Sequence, residues 1–73
     1  MNRDVLEGMW KQLRGKARET WGDLTDDELE EIAGKREKLS GKLQERYGYS
    51  RAEAEAEIDR FLDETEADLK RGL

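Results

Sequence analysis

The apolar residues of the N-terminal third recur at steps of three and four, which draws one stripe along an α-helix. The members of this stripe are Leu6, Met9, Trp10, Leu13, Ala17, Trp21 and Leu24. The pattern predicts a first helix over residues 4–21, capped at its N-terminus by Asn2 or Asp4. Gly22 follows at once, and it is predicted to take the left-handed conformation that ends this helix.

A capping box marks the start of a second helix. Thr25 stands three residues before Glu28, so its hydroxyl can accept from the Glu28 amide while the Glu28 carboxylate accepts from the Thr25 amide. Leu24 and Leu29 flank this cap and are predicted to form a hydrophobic staple. Gly34 is expected either to end the second helix or to bend it into a third.

The third helix is predicted from a stripe at steps of four. Leu39, Leu43 and Tyr47 place it over residues 35–47, and Gly48 is expected to end it. The chain contains no Pro and few β-branched residues, so strands are disfavoured and no proline ring interrupts a helix.

A second capping box, Ser50 with Glu53, predicts a fourth helix that begins at residue 51. The apolar stripe of this helix consists of Ala54, Ile58, Phe61, Leu62, Thr65 and Leu69. Polarity rises toward the C-terminus, so fraying is expected after about residue 66.

The glycines reveal an internal repeat. Glycines lie seven residues apart at 8, 15 and 22 and again at 34, 41 and 48, and sliding residues 8–22 onto 34–48 gives six identities in fifteen. The unit of a glycine-marked helix, a glycine stop and a capped helix therefore occurs twice. We predict an all-α domain spanning residues 1–73, a small bundle of about four helices built from two similar helix pairs with short glycine-containing connections.

Three of these glycines, Gly8, Gly15 and Gly41, fall inside predicted helices, where each costs about 0.5–1 kcal/mol relative to Ala. Either they serve plasticity or close contact with another helix, or they are inherited from the duplication without a role. Their combined effect matters because only 34% of the 73 residues are hydrophobic and 45% are charged. This composition lies near the limit at which chains stop folding, so we expect marginal stability.

Charge is arranged in blocks within a total of −5. Residues 25–33 carry −5, residues 34–51 carry +4 and residues 52–73 carry −5. The blocks predict that the acidic second and fourth helices attract the basic third helix. Each exposed pair contributes about 0–1 kcal/mol.

A basic run between two tryptophans is the candidate partner contact. It consists of Trp10, Lys11, Arg14, Lys16 and Arg18, and such a surface could bind nucleic acid or an anionic membrane. Both indoles fall on the apolar stripe, which favours their burial. The alternative is a partly exposed Trp10, near the N-terminal end, which would then be the remaining candidate for contact with a partner.

The sequence offers no recognisable reactive site. It has neither Cys nor His, and a calcium loop counted from Asp23 would place Glu28 where glycine is required and Gly34 where a bidentate Glu is required. Phosphate loops and dinucleotide glycine patterns are also missing. We predict no catalytic, cofactor-binding or metal-binding residues, and because no signal peptide or membrane-spanning run occurs, we expect a cytoplasmic location.

Four segments carry a resemblance to a known family. They are LEGMWKQLRGK at 6–16, WGDLTDD at 21–27, GKR at 34–36 and GKLQERYGYS at 41–50. Together they resemble the CsbD-like family of small bacterial stress-response proteins, up to about Leu62. The resemblance implies a small helical bundle, expression under general stress and no established enzymatic activity, and it supplies no catalytic or ligand residues.

The glycine content and hydrophilicity also resemble those of hydrophilins, which shield other macromolecules during desiccation. Our leading expectation is therefore a non-enzymatic stress protein that acts as a protectant. The alternative is an interaction module that binds nucleic acid or an anionic surface through the basic helices 1 and 3. The partner stays open, and so does the choice between a monomer and a weak homodimer.

Overall fold

The computed structural model describes the backbone of residues 3–71 and the side chains of residues 6–67. Five helices follow one another: α1 (Arg3–Gly8), α2 (Trp10–Thr20), α3 (Asp26–Ile32), α4 (Arg36–Tyr47) and α5 (Arg51–Arg71). The described segment contains no strand. The all-α prediction is confirmed, with one helix more than the four expected.

The extra helix arises because the first predicted helix is interrupted at Met9. This residue has φ −109° and ψ 10°, and its carbonyl accepts from the amides of both Gln12 and Leu13 at 2.9 Å. The prediction of one continuous helix over residues 4–21 was therefore wrong at Met9. Asp4 lies inside α1 and does not cap it, while Asn2 lies outside the described residues.

The interruption lies where the connection between α3 and α4 packs against the N-terminal segment. A Cβ atom placed on Gly34 would lie 2.7 Å from the Cα of Glu7, 2.9 Å from the carbonyl oxygen of Leu6 and 2.9 Å from the Cβ of Trp10. The backbone at Gly34 thus fits into the bend between α1 and α2. A bulkier residue would collide with both of these helices.

Helix ends follow the prediction at Gly48 and depart from it at Gly22. Gly48 has φ +70° and its amide donates to the carbonyl of Gln44 at 3.1 Å. Gly22 is not left-handed, so that prediction was wrong. Instead α2 ends at Thr20, and Trp21 follows it as the C-cap with φ −121°, its indole lying in the core, where the residue is 2% exposed.

The end of α3 settles the alternative left open at Gly34. Ala33 has φ +50° and Gly34 has φ +79°, so two successive left-handed residues end the helix. The next helix then starts at Arg36, one residue after the predicted boundary. Gly34 therefore stops α3 and lets the chain turn sharply into α4.

Both capping boxes are present as predicted. The Glu28 amide donates to the Thr25 hydroxyl at 3.1 Å, and the Thr25 amide donates to the Glu28 carboxylate at 3.0 Å. The Ser50 and Glu53 pair makes the same two bonds at 3.1 and 2.9 Å. Helix α5 extends through Arg71, and fraying beyond residue 66 stays a prediction.

The apolar stripes of the helices meet in one core. Its buried members are Leu6, Trp10, Leu13, Ala17, Trp21, Leu24, Leu29, Ile32, Leu39, Leu43, Ala54, Ile58, Phe61 and Leu62. Helix α5 packs against α4 and α2, and α3 packs against α2 and α4. The radius of gyration is 11.5 Å, close to the roughly 11 Å of a folded chain of this length. The helices therefore bury enough surface to hold a compact fold despite the hydrophilic composition.

Candidate interaction surface

The predicted partner contact at Trp10 is buried. The indole is 7% exposed, and its Nε1 donates to the carbonyl oxygen of Leu29 at 2.9 Å. A buried indole N–H needs an acceptor, and this contact across α2 and α3 supplies one. The favoured burial of both indoles is therefore confirmed, with Trp21 only 2% exposed, and the alternative of a partly exposed Trp10 is wrong.

The two arginines of the basic run are directed toward helix α3. Arg14 Nη1 lies 3.4 Å from Glu30 Oε1, and Arg18 pairs with Asp26. The hydrogen bond from Arg18 holds the pKa of the Asp26 carboxyl below its ordinary value. These pairs are exposed, so each contributes little to stability, but they give the surface between α2 and α3 a mixed charge.

The two lysines of the basic run lie on different faces of α2. Lys11 is exposed and lies three and seven residues before the two arginines, so it shares their face of the helix. Lys16 is half-buried and lies on a different face by the same periodicity. The structure therefore does not gather all four cations into one positive surface.

Glu28 is the centre of a second charged group, which joins α3 to α4. We call Thr25, Glu28, Lys42 and Arg46 the Glu28 cluster. The Glu28 Oε2 atom lies 2.7 Å from Arg46 Nη2 and 3.6 Å from Lys42 Nζ, while Oε1 accepts from the Thr25 amide. The Glu28 side chain is only 10% exposed, so this charged group lies at the margin of the core.

These contacts determine the ionisation of Glu28. The hydrogen bond from the Thr25 amide, and then the hydrogen bond from the Arg46 guanidinium, lower the pKa of Glu28 to about 2. Each favours the ionised carboxylate. A carboxylate held this firmly in its charged form is a poor proton donor or acceptor near neutral pH, so the cluster has the chemistry of a structural ion pair.

Arg36 makes the corresponding connection between α4 and α5. Its Nε lies 2.5 Å from Glu55 Oε2, its Nη2 lies 2.6 Å from Asp59 Oδ1, and the same Nη2 donates to the Glu55 carbonyl at 3.3 Å. The Arg36 side chain is 22% exposed. The attraction predicted from the charge blocks is therefore present between α3 and α4 and between α4 and α5.

A groove lies between α1 and the N-terminal ends of α4 and α5. It encloses about 410 Å³ and is lined by Glu7, Gly34, Lys35, Arg36, Glu37, Arg51 and Glu55. Its three cations and three carboxylates give no net preference for either sign of charge. Among the described residues, no group of three or more His, Cys, Asp or Glu side chains could hold a metal ion, and no described helix is long and apolar enough to cross a membrane.

The sequence reasoning identified Glu28 only as a capping residue. Its contacts with Arg46 and Lys42 were missed because they depend on how α3 lies against α4. The opposite charges of neighbouring blocks were the available signal, and they indicated which helices attract without indicating which side chains meet. Arg36 was missed for the same reason.

The comparisons with known proteins confirm the family resemblance that the four sequence segments carry. The sequence model of the CsbD-like family matches residues 4–56. A UPF0337 protein of Pseudomonas aeruginosa is 59% identical over 63 residues, which cover 86% of this chain and 97% of the relative. The UPF0337 protein YjbJ of Escherichia coli K12 is 55% identical over 58 residues, covering 80% and 84%.

A UPF0337 protein of Bordetella pertussis is 51% identical over 63 residues, covering 86% of this chain and 96% of the relative. No solved structure matches. None of these relatives has a name that denotes an enzymatic activity. The length and identity of these matches show that the chain belongs to the CsbD-like family.

Proposed function

We propose that this protein is a non-enzymatic stress-response protein that protects other macromolecules by remaining hydrated and dispersed among them. One observation carries the proposal. Between residues 6 and 67, every Leu, Ile, Trp and Phe side chain is buried, so the surface consists mainly of charged, polar and small residues. The hydrophilic composition is therefore a property of the folded exterior, and the folded protein exposes little apolar surface.

Such an exterior suits a protectant for two reasons. Charged side chains hold water strongly, and a net charge of −5 makes copies repel one another, which opposes aggregation. Opposite charges are also paired across neighbouring helices, for example Arg36 with Glu55. The protein can therefore lie among other macromolecules and keep them apart without binding any of them tightly. Membership of the CsbD-like family supports a role under stress.

To test the proposal, a labile dehydrogenase is dried or heated with an equal mass of this protein or of an inert globular protein. The dehydrogenase activity that survives is then measured. We expect more activity to survive with this protein. A double variant, Lys38→Leu with Glu45→Leu, keeps the net charge but exposes an apolar patch, and it should protect less well. The charge swap Lys38→Glu with Glu45→Lys is the matched control and should protect as the wild type does. Survival equal to that with the inert protein would contradict the proposal.

Binding of an anionic partner through α2 and α4 is the competing proposal. It has less support because Arg14, Arg18, Arg36, Lys42 and Arg46 all form ion pairs with acids of this chain. Its test is titration with labelled duplex DNA and with anionic vesicles at about 50 mM salt, where such binding is strongest. If the protein bound neither the DNA nor the vesicles, the competing proposal would be contradicted.

A further inference from the structure

The two helices that correspond in the internal repeat share an unusual N-terminus. Helix α2 begins after Met9 and helix α4 begins after Lys35, and neither residue makes a side-chain hydrogen bond that caps its helix. Helices α3 and α5, which follow them in each repeat, both begin with complete capping boxes. From α2 to α5, uncapped and capped helices therefore alternate.

The same two helices carry glycines in their interiors, whereas Gly8 is the last residue of α1 and not an interior residue. Gly15 in α2 and Gly41 in α4 occupy equivalent positions of the repeat, and both are exposed. A Cβ atom added to either would meet nothing within 4 Å. Neither glycine is therefore needed for packing within the molecule, although each weakens its helix. Helices α3 and α5 contain no glycine.

The missing side-chain caps and the interior glycines both reduce the local stability of α2 and α4. These two helices also supply core residues. Helix α2 contributes Trp10, Leu13 and Ala17, and helix α4 contributes Leu39 and Leu43. Opening of either helix would expose an apolar stripe on a molecule whose exterior is otherwise hydrophilic.

We propose that α2 and α4 form a conformational device, in which each opens locally while the long capped helix α5 stays folded. Each opening transiently presents the apolar stripe of that helix to solvent. Proteins commonly open in such units when the local free energy of opening is below the global value. The proposal concerns the folding units of this chain and goes beyond the protectant function, because it holds whether or not the protein protects others.

Native-state amide hydrogen exchange, measured residue by residue in Gly15→Ala and Gly41→Ala, tests whether α2 and α4 open locally. If the helices open locally, Gly41→Ala raises the protection factors of α4 about two- to five-fold and leaves those of α2 nearly unchanged. For amides of α5 that exchange through global unfolding, protection rises by a similar factor, because the substitution also stabilises the folded protein against the unfolded chain. Gly15→Ala raises protection in α2 and leaves that of α4 nearly unchanged. Gly22→Ala is the matched control, because Gly22 is exposed, is not left-handed and lies between helices with open space around it. It should not raise protection selectively in either helix.

Two outcomes would overturn the proposal. If each substitution raised protection equally in α2 and α4, the amides of these helices would exchange only through global unfolding. If each substitution lowered protection, the glycines would be needed for packing.

Exposure of the apolar stripes has its own measurement, which is the fluorescence of a dye that binds apolar surface, recorded below the main thermal transition. The double variant with Ala at both positions should bind less dye than the wild type and Gly22→Ala. Equal fluorescence in all three proteins would contradict the exposure of the stripes.

Discussion

Single residues differ sharply in importance even where the internal repeat makes them look equivalent. Of the glycines spaced by seven, only Gly34 and Gly48 adopt a positive φ. Of these two, only Gly34 is surrounded closely by other atoms. A side chain at Gly48 would have room but would strain the backbone, whereas at Gly34 it would meet both the strain and a collision. The importance of each glycine therefore comes from its surroundings.

The pair Gly34→Ala and Gly48→Ala separates these two effects. Gly48→Ala should lower the free energy of unfolding by about 1–2 kcal/mol, which is the cost of a left-handed residue that carries a side chain. Gly34→Ala adds the collision with Glu7 and Trp10, and overpacking costs a further 1–3 kcal/mol or so. Urea denaturation measures both values. Equal losses in the two variants would show that the contact at Gly34 is unimportant.

The carboxylate of Glu28 links stability to pH. Its pKa is about 2 in the folded protein and 4.5 ordinarily, so on acidification the unfolded chain takes up its proton first. The contribution of Glu28 is therefore complete above about pH 4.5 and is lost as the pH falls toward 2. We expect Glu28→Gln to reduce the slope of unfolding free energy against pH within that window, as measured by denaturation at a series of pH values.

Glu64→Gln is the control for this prediction, because Glu64 is exposed on α5 and makes no contact with the Glu28 cluster. Part of the slope should survive in Glu28→Gln, since the pKa values of Asp26 and Glu53 are also lowered in the folded protein. A slope identical to that of the wild type would contradict the role of Glu28.

At the scale of elements, the boundaries of α3 and α5 depend on side chains that are close in sequence. The two bonds at Thr25 and the two at Ser50 involve residues three positions apart. Each capping box satisfies amides that the first turn of a helix leaves unpaired. The start of each of these helices therefore depends on contacts within its own first turn.

Ser50→Ala should lower the free energy of unfolding by about 1 kcal/mol, because the Glu53 amide loses its acceptor. Ser50→Asp should retain most of the stability, since Asp caps helices about as well as Ser. Urea denaturation followed by circular dichroism at 222 nm measures the difference. If Ser50→Asp were as destabilised as Ser50→Ala, the lost contribution would not come from capping.

At the scale of the whole molecule, a small core is closed by one long helix. Phe61 of α5 contacts Trp21, which ends α2, with ring centroids 4.9 Å apart. Both side chains are 2% exposed. Since a chain of this length has a stability of only about 5 kcal/mol, one large aromatic side chain represents much of the total.

Phe61→Ala should therefore leave most of the chain unfolded at room temperature, because truncating a buried Phe costs about 3–5 kcal/mol. Tryptophan fluorescence reports the loss directly, since Trp21 would move from the core into water. Glu64→Ala, an exposed change on the same helix, should leave the emission unchanged. A folded Phe61→Ala with native emission would show that other contacts dominate the core.

The sequence alone determined the features that depend on neighbours in the chain. The capping boxes at Thr25 and Ser50, the left-handed stop at Gly48 and the apolar stripes all rest on contacts or periodicities within a few residues. Such local features can be predicted from the sequence without knowledge of the tertiary structure. For this reason the starts of α3 and α5 were predicted correctly.

The tertiary structure decided what depends on neighbours in space. The break at Met9 lies where Gly34, twenty-five positions later, packs against α1 and α2. The chain leaves α2 at Trp21, whose indole lies in the core, and Arg46 meets Glu28 because α4 lies beside α3. Charge blocks indicate that two helices attract, but packing of the apolar faces fixes the rotation of each helix and therefore which charges touch.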